Sequence, residues 1–119
     1  MSADSKRTSD FLGHILEAIS RIGRYTDQMN IADFQENELV QDAVIRNMEV
    51  IGEACGNIRK LAPAFVQSHP EVPWSSAIGN RNALSHGYFS VDLKLVWATV
   101  KSDLPTLKLA VERLRVDPS

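Results

Sequence analysis

Apolar residues recur every three or four positions through most of the chain, which is the spacing of one face of an α-helix. The first such face comprises Phe11, Leu12, Ile15, Leu16, Ile19 and Ile22. Thr8, Ser9 or Asp10 can cap the start of this helix, because their side-chain oxygens accept hydrogen bonds from free backbone N–H groups. We expect the helix to end at Met29-Asn30.

A second, longer helix is predicted to open near Gln35 and to reach about Leu61. Its apolar side comprises Leu39, Val40, Ala43, Val44, Met48, Ile51, Cys55 and Ile58. Pro63 then starts a short separate helix, since proline is favoured at the first helical position. Residues 68–73 form a loop, because each of its prolines biases the preceding residue away from helix.

Two further helices follow this loop. The third runs from about Trp74 to about His86 and ends at Gly87, because glycine is favoured just past a helix terminus. The fourth starts between Ser90 and Asp92, and Pro105 inside it should kink the helix or force a local break. Its apolar stripe comprises Leu93, Val96, Trp97, Val100, Leu104, Leu107, Val111 and Leu114.

No segment shows the sustained alternation of apolar and polar residues that a half-buried strand has. Four main helices plus a short one, joined by loops of ordinary length, predict an all-α fold, an antiparallel up-and-down helical bundle. No repeat, linker or low-complexity segment divides the sequence, so we expect a single domain over residues 1–119.

The composition agrees with a soluble domain of this kind. Of the 119 residues, 44% are hydrophobic and 24% are charged, and no apolar run approaches the roughly 20 residues of a membrane span. Cys55 is the only cysteine, so it cannot form an internal disulfide, and nothing favours an oxidising compartment. We therefore expect a cytoplasmic protein.

The net charge of −2 hides an asymmetry along the chain. Residues 27–53 include seven acidic residues and one basic residue, whereas residues 54–116 include eight basic and four acidic residues. A general nucleic-acid coat is therefore excluded, but a local basic surface is compatible with the second half. Helix faces of mixed charge exposed to solvent explain the same counts.

Several common classes of site are missing from the sequence. His14, His69 and His86 are scattered, and no HExxH or CxxC spacing occurs, so no metal site is predicted. Glycine-rich nucleotide loops and a serine hydrolase elbow are absent as well.

The remaining candidate is the segment from Arg81 to Tyr88, which contains a permanent cation, the His86 imidazole and a phenol within eight residues. An arginine holds phosphate bidentately, and a histidine titrates near neutral pH and can transfer protons. A metal-free ribonuclease needs these groups: one moves the 2′-hydroxyl and leaving-group protons while a cation stabilises the phosphorane. An ideal helix separates positions 81 and 86 by roughly 140°. The two would converge only if the helix end unwinds or a second subunit completes the site.

By residue type alone, a structural role for the same segment is the stronger interpretation. Arginine and protonated histidine near a helix C-terminus interact favourably with the helix dipole. Tyr88 and Phe89 could anchor the following loop on the core.

A polar line on the second helix has two interpretations. It comprises Asp42, Arg46, Glu49 and Glu53, three or four residues apart. The line is either a solvated, salt-bridged stripe or a surface that faces Arg81 and His86 across a groove. Gly52 and Gly56 lower helix propensity in the same helix, and close packing by another helix of this chain or a partner would explain them.

With these motifs the sequence resembles the HepT-type toxins of the HEPN superfamily of small helical proteins. Residues 81–88 match the R-x4-H-x-Y motif of that family without a gap, and residues 46–54 resemble its second signature. Residues 89–104, with Asp92, Trp97 and Asp103, resemble the segment that follows the motif. The resemblance implies a HEPN-like helical fold over most of the chain.

The resemblance also implies an activity. HepT-like proteins are cytoplasmic homodimers that cleave cellular RNA without a metal or cofactor, through R-x4-H motifs in a cleft at the dimer interface. By this resemblance His86 is the acid/base residue and Arg81 the phosphate-binding residue. Asn82 orients the site, and Arg46 with Glu49 or Glu53 supports it from the second helix.

A partner protein is implied in the same way. The cognate antitoxin of this family is a minimal nucleotidyltransferase, which transfers AMP from ATP to the motif tyrosine, here Tyr88. Two alternatives remain open at this point. The chain could be a non-catalytic HEPN-like dimer that binds such a nucleotidyltransferase, or a helical adaptor in which Arg81 and His86 have only structural roles.

Overall fold

Two 24-residue helices, α1 (Ala3–Thr26) and α3 (Glu38–Leu61), form the frame of the fold. They pack on each other more extensively than any other pair of elements in the described part of the chain. Because only residues 27–37 join them, α3 returns along α1. The structure, a computed structural model, describes residues 3–79 and 92–116.

Both ends of α1 differ from the prediction. The helix begins at Ala3, ahead of the proposed caps at residues 8–10, with Asp4 in its first turn where a negative charge favours the helix dipole. It ends at Thr26 rather than at Met29-Asn30. Gln28 has a φ of 62°, in the left-handed region, and this conformation cannot continue a right-handed helix.

A short helix, α2 (Ile31–Glu36), separates the two long ones and was not predicted. The Asp33 N–H donates to Asn30 Oδ1 at 2.8 Å, and the Asn30 N–H donates to Asp33 Oδ2 at 3.1 Å, which completes a capping box. Asn37 then caps α3 by accepting from the Val40 N–H at 3.0 Å. The prediction of one helix opening near Gln35 is therefore wrong, because Asn37 ends α2 and caps the start of α3.

The elements after α3 follow the prediction more closely. The helix ends at Leu61, and α4 (Pro63–Ser68) begins at its proline. The turn at residues 69–73 leads into a helical stretch at 74–79, here called α5. The predicted end of that helix at His86 and Gly87 lies outside the described residues.

The final helical segment is one continuous rod with a widened turn. It consists of α6 (Leu93–Ala98), a π-helix (Thr99–Asp103) and α7 (Leu104–Val116). Asp92 caps α6 by accepting from the N–H groups of Lys94 and Leu95 at 3.0 and 3.3 Å, which confirms the predicted start. Pro105 follows the π-helix, and its ring would clash with a carbonyl four residues earlier in a regular helix. The wider turn relieves that clash, so the predicted kink or break takes the form of a π-helix.

Buried side chains from α1, α3 and the final segment form one hydrophobic core. It comprises Leu12, Ile15, Ile19, Ile22, Phe34, Val44, Met48, Ile51, Cys55, Ile58, Val72, Trp74, Val96, Val100, Leu104, Leu107 and Val111, with buried alanines. Leu39 was predicted on the apolar side of α3 but is 81% exposed. Phe34 of α2, which is 0% exposed, fills the core beside this end of α3.

The predicted all-α class is confirmed, because the described residues form helices and connecting turns without a strand. In the same described ranges, none of the helices is both long and apolar enough to cross a membrane.

Candidate functional site

The residues predicted to do the chemistry fall between α5 and α6. Arg81, Asn82, His86 and Tyr88 all lie outside the described residues. The structure does describe the chain on both sides of them, through residue 79 and again from Asp92. The supporting residues predicted on α3 are also described.

The polar line of α3 lies on the side of the helix away from the core. Arg46 and Glu53 are exposed, and Glu49 is half-buried, whereas Met48 and Ile51 on the opposite side are buried. Within residues 3–79 and 92–116, no ion pair joins Arg46 to a carboxylate. The stripe is therefore solvated without being salt-bridged, and its arginine is available to a ligand or to another part of the protein.

The two glycines of α3 differ in their surroundings. Gly52 is buried, whereas Gly56 is half-buried and a Cβ built on it meets nothing within 4 Å. Close packing inside the described chain therefore does not explain Gly56. A partner helix over this position stays a prediction.

An aromatic cluster anchors the helix that leads into the motif. Trp74, the first residue of α5, is 5% exposed and its Nε1–H donates to the His69 carbonyl at 3.0 Å. The Phe65 ring lies 6.3 Å from the Trp74 ring and 4.7 Å from the His69 ring, centroid to centroid. This cluster anchors α5 on the core, and the last described residue of α5, Gly79, comes two residues before Arg81 in the sequence.

His69 also holds the turn before α5. Its Nδ1 lies 3.0 Å from Glu71 Oε1, as a hydrogen bond or, when His69 is protonated, an ion pair. The backbone N–H of Glu71 and then the bond to His69 lower the pKa of that carboxyl group. Sequence reasoning missed this cluster, although Phe65 and His69 have the four-residue spacing of neighbours on a helix.

The chain that leaves the motif is anchored as well. Asp92 caps α6, and the Trp97 ring packs against the Phe34 ring with centroids 5.2 Å apart. Lys101 Nζ lies 4.6 Å from the centroid of the Trp97 ring, within the range of a cation–π interaction. The described chain on both sides of the motif, in α5 and in α6, is therefore anchored on the core.

A shallow groove between α1 and α3 brings together polar side chains that are far apart in the sequence. It is lined by His14, Glu17, Ala18, Arg21, Asn47 and Val50, with a volume of about 160 Å³. Arg21 already pairs with Glu17 at 2.8 Å, and Asn47 Nδ2 donates to the Ala43 carbonyl at 2.8 Å. These hydrogen bonds occupy Arg21, Glu17 and the Asn47 amide nitrogen, so these side chains offer few free polar atoms to a ligand.

A deeper cavity lies between α3, α5 and α7, and we call it the α3–α5–α7 cavity. Its volume is about 240 Å³. It is lined by Met48, Ile51, Pro73, Ser76, Ala77, Thr99, Asp103, Leu104, Thr106 and Leu107. The walls are mainly apolar, and among the described residues that line the cavity Asp103 is the one with a charge. Sequence reasoning missed this cavity because its residues come from three separate elements.

The described residues contain no group of three or more His, Cys, Asp or Glu side chains placed to hold a metal ion.

Comparison with known proteins gives a consistent result. Residues 15–114 match the family described as ribonuclease HepT-like. The chain is 43% identical to "Probable ribonuclease HepT" of Thermococcus cleftensis over 106 residues, 89% of this chain and 94% of that protein. It is 39% identical over 102 residues to a "Putative RNase" of Methanocaldococcus jannaschii, covering 86% of this chain and 91% of that protein.

A third similarity concerns a longer protein. The chain is 43% identical over 98 residues to "Gamma-glutamylcyclotransferase and putative RNase" of Methanocaldococcus jannaschii. The match covers 82% of this chain and 43% of that protein. No solved structure gives a significant match.

Proposed function

The chain belongs to the HepT-like ribonuclease family, and on that premise we propose that it is the metal-independent endoribonuclease toxin of a toxin–antitoxin pair. The observation that carries the proposal is the extent of the family match. It spans residues 15–114 and so includes the whole motif from Arg81 to Tyr88. The motif contains a phosphate-binding cation, an acid/base imidazole and a phenol, and the proposal gives each of the three a function.

In the proposed reaction, His86 acts as the acid/base residue and Arg81 binds phosphate. The 2′-oxygen loses its proton to the imidazole and attacks phosphorus, and the 5′-oxygen leaves with a proton returned to it. A 2′,3′-cyclic phosphate and a 5′-hydroxyl result. The Arg81 guanidinium stabilises the extra negative charge of the phosphorane, and it stays charged at any physiological pH.

The supporting residues act around this centre. Asn82 orients the site, and Arg46 adds positive charge from α3, where it is exposed and unpaired by any described carboxylate. Glu49 and Glu53 follow Arg46 on the same side of the helix and would support the site from there. In the proposed homodimer, the motifs of two subunits lie across one cleft, which brings positions 81 and 86 together.

The proposed antitoxin is a nucleotidyltransferase of the minimal type. The Tyr88 phenol oxygen would attack the α-phosphorus of ATP, and pyrophosphate would leave, so that AMP becomes attached to the tyrosine. The added phosphate charge and adenosine would repel and block RNA next to His86. Toxin activity would then depend on whether Tyr88 is modified.

The test is RNA cleavage by the purified, unmodified chain. We expect cleavage that His86→Ala or Arg81→Ala lowers by at least 100-fold, in the range of a lost acid/base or electrostatic catalyst. His14→Ala is the control, because His14 is an exposed histidine on α1 with no assigned role. Cleavage at the unaltered rate by the His86→Ala chain, with its helical circular dichroism intact, would overturn the proposal.

The antitoxin is tested separately by intact mass. Coexpression with the neighbouring nucleotidyltransferase should add AMP masses, and Tyr88→Phe should abolish them. An unchanged mass in the presence of an active transferase would remove the modification from the proposal and leave the nuclease untouched.

A further inference from the structure

The α3–α5–α7 cavity is large enough for a single nucleobase. Its volume of about 240 Å³ corresponds to about eight water molecules at roughly 30 Å³ each, a volume in which one planar base fits. Met48 and Ile51 of α3 and Leu107 of α7, all under 7% exposed, form apolar walls. Single-stranded RNA is read by proteins that bury unstacked bases in such pockets.

The polar groups of the cavity are few. Asp103 lines it and is exposed, as are Ser76 and Thr106, whereas Thr99 is buried and its hydroxyl donates to the Leu95 carbonyl at 3.0 Å. The Thr106 hydroxyl donates to the Ser102 carbonyl at 3.3 Å, so its oxygen can still accept. Within the described ranges, Asp103 makes no hydrogen bond or ion pair, which leaves both carboxylate oxygens available to a ligand.

Covalent connection limits how far this cavity can lie from Arg81, the proposed phosphate-binding residue. Ala77 of α5 lines the cavity, and Arg81 is four residues further along. Four residues span at most about 14 Å even when fully extended. One or two nucleotides bridge that distance, so an RNA strand with its phosphate at Arg81 can place a neighbouring base in the cavity.

We propose that the α3–α5–α7 cavity is a base-binding subsite that selects guanine next to the cleaved bond through Asp103; this rests on the proposed ribonuclease function. Guanine presents two adjacent donors, N1–H and the N2 amino group, which match the two oxygens of one carboxylate. Adenine, cytosine and uracil each present a single donor on the same edge. The apolar walls hold the ring, and Asp103 sets the identity of the base.

The experiment measures binding apart from cleavage. The full chain carrying His86→Ala, which does not cut, is titrated with short single-stranded RNAs that contain one guanosine, inosine or adenosine. Inosine lacks only the N2 amino group. We expect guanosine to bind at least fivefold more tightly than inosine or adenosine, the lower bound for losing a bidentate contact to a base edge.

Two further variants locate the effect. Asp103→Asn should reduce the guanosine preference to near one, because its amide NH2 would face the guanine donors. Glu112→Gln is the control, since it also removes one negative charge from the final helical segment but lines a different groove, between α1 and α7. Ala77→Leu should fill the cavity and weaken binding of all three RNAs.

Other outcomes are decisive as well. Equal binding of the three RNAs by the parent chain overturns the subsite. So does a change of oligomeric state in Asp103→Asn by sedimentation, because the cavity would then be a contact between two copies of the chain. Guanosine preference in a chain that cleaves no RNA, even with His86 restored, would keep the subsite and overturn the nuclease proposal instead.

Discussion

The two faces of α3 differ in whether contacts within one chain cover them. One face contributes Val44, Ile51, Cys55 and Ile58 to the core, and each of these side chains is at most 3% exposed. The other face carries Arg46 without a described ionic partner, and almost three turns further along α3 Gly56 has open space where a side chain would be. The first face therefore stabilises the fold, and the second is available for RNA or another protein.

The largest expected effect is on the buried face. Ile58 is 0% exposed, so Ile58→Ala should lower the free energy of unfolding by about 2–5 kcal/mol through lost burial and a cavity. Glu53→Ala on the exposed face should change it by no more than about 0.5 kcal/mol. Urea unfolding followed by circular dichroism measures both. Equal losses would show that the two faces are covered alike.

The buried face should also respond to pH through Cys55. Burial raises the pKa of this thiol to about 12 from its ordinary value of 9.0. Since the folded chain binds this proton more tightly, the thiol's contribution to stability is fully present below pH 9 and declines as pH rises toward 12. A thiol reagent at pH 8 should react with Cys55 only after unfolding in urea. Rapid reaction of the native chain would show that this face opens readily.

The exposed face should affect activity and leave stability unchanged. Arg46→Ala should lower RNA cleavage about tenfold, the effect of losing one charged hydrogen bond of about 1.5 kcal/mol. Its melting temperature should stay within about 2 °C of the parent. Arg59→Ala, at the last turn of the same helix, is the matched control for lost positive charge. A drop in stability without a drop in cleavage would assign Arg46 to the fold.

The smallest effect distinguishes a free face from a covered one. Gly56→Ala should stabilise a free α3 by about 0.5–1 kcal/mol, because alanine is the better helix former and its Cβ has room. Gly23→Ala in α1, which also has open space, is the control. If Gly56→Ala instead weakens self-association while Gly23→Ala does not, a partner helix packs on Gly56.

The sequence predicted the elements in which apolar residues recur at helical spacing. The apolar stripes identified α1, α3 and the final segment, because burial of one face imposes its period on the sequence. The prediction failed where one polar side chain decides the backbone. Asn30 caps α2 inside the predicted connection, and Asn37 caps α3 inside the predicted second helix; a single capping side chain leaves no period in the sequence.

The candidate site divides in the same way. Arg81 and His86 could be found from sequence because their spacing is local and belongs to a motif. The α3–α5–α7 cavity could not, because Met48, Ala77 and Asp103 meet only after three elements pack. Pro105 indicated that the final helix would be disturbed, but only the structure shows a π-helix that ends at Asp103.

The most direct test of the central claim is the chemistry of the RNA ends produced by the unmodified chain in excess EDTA. Mass spectrometry of a short cleaved RNA should show a 2′,3′-cyclic phosphate or its 3′-phosphate hydrolysis product, together with a 5′-hydroxyl. That result requires attack by the 2′-oxygen and no metal, as proposed for His86 and Arg81. Products with 5′-phosphate ends, or cleavage that EDTA abolishes, would contradict the account.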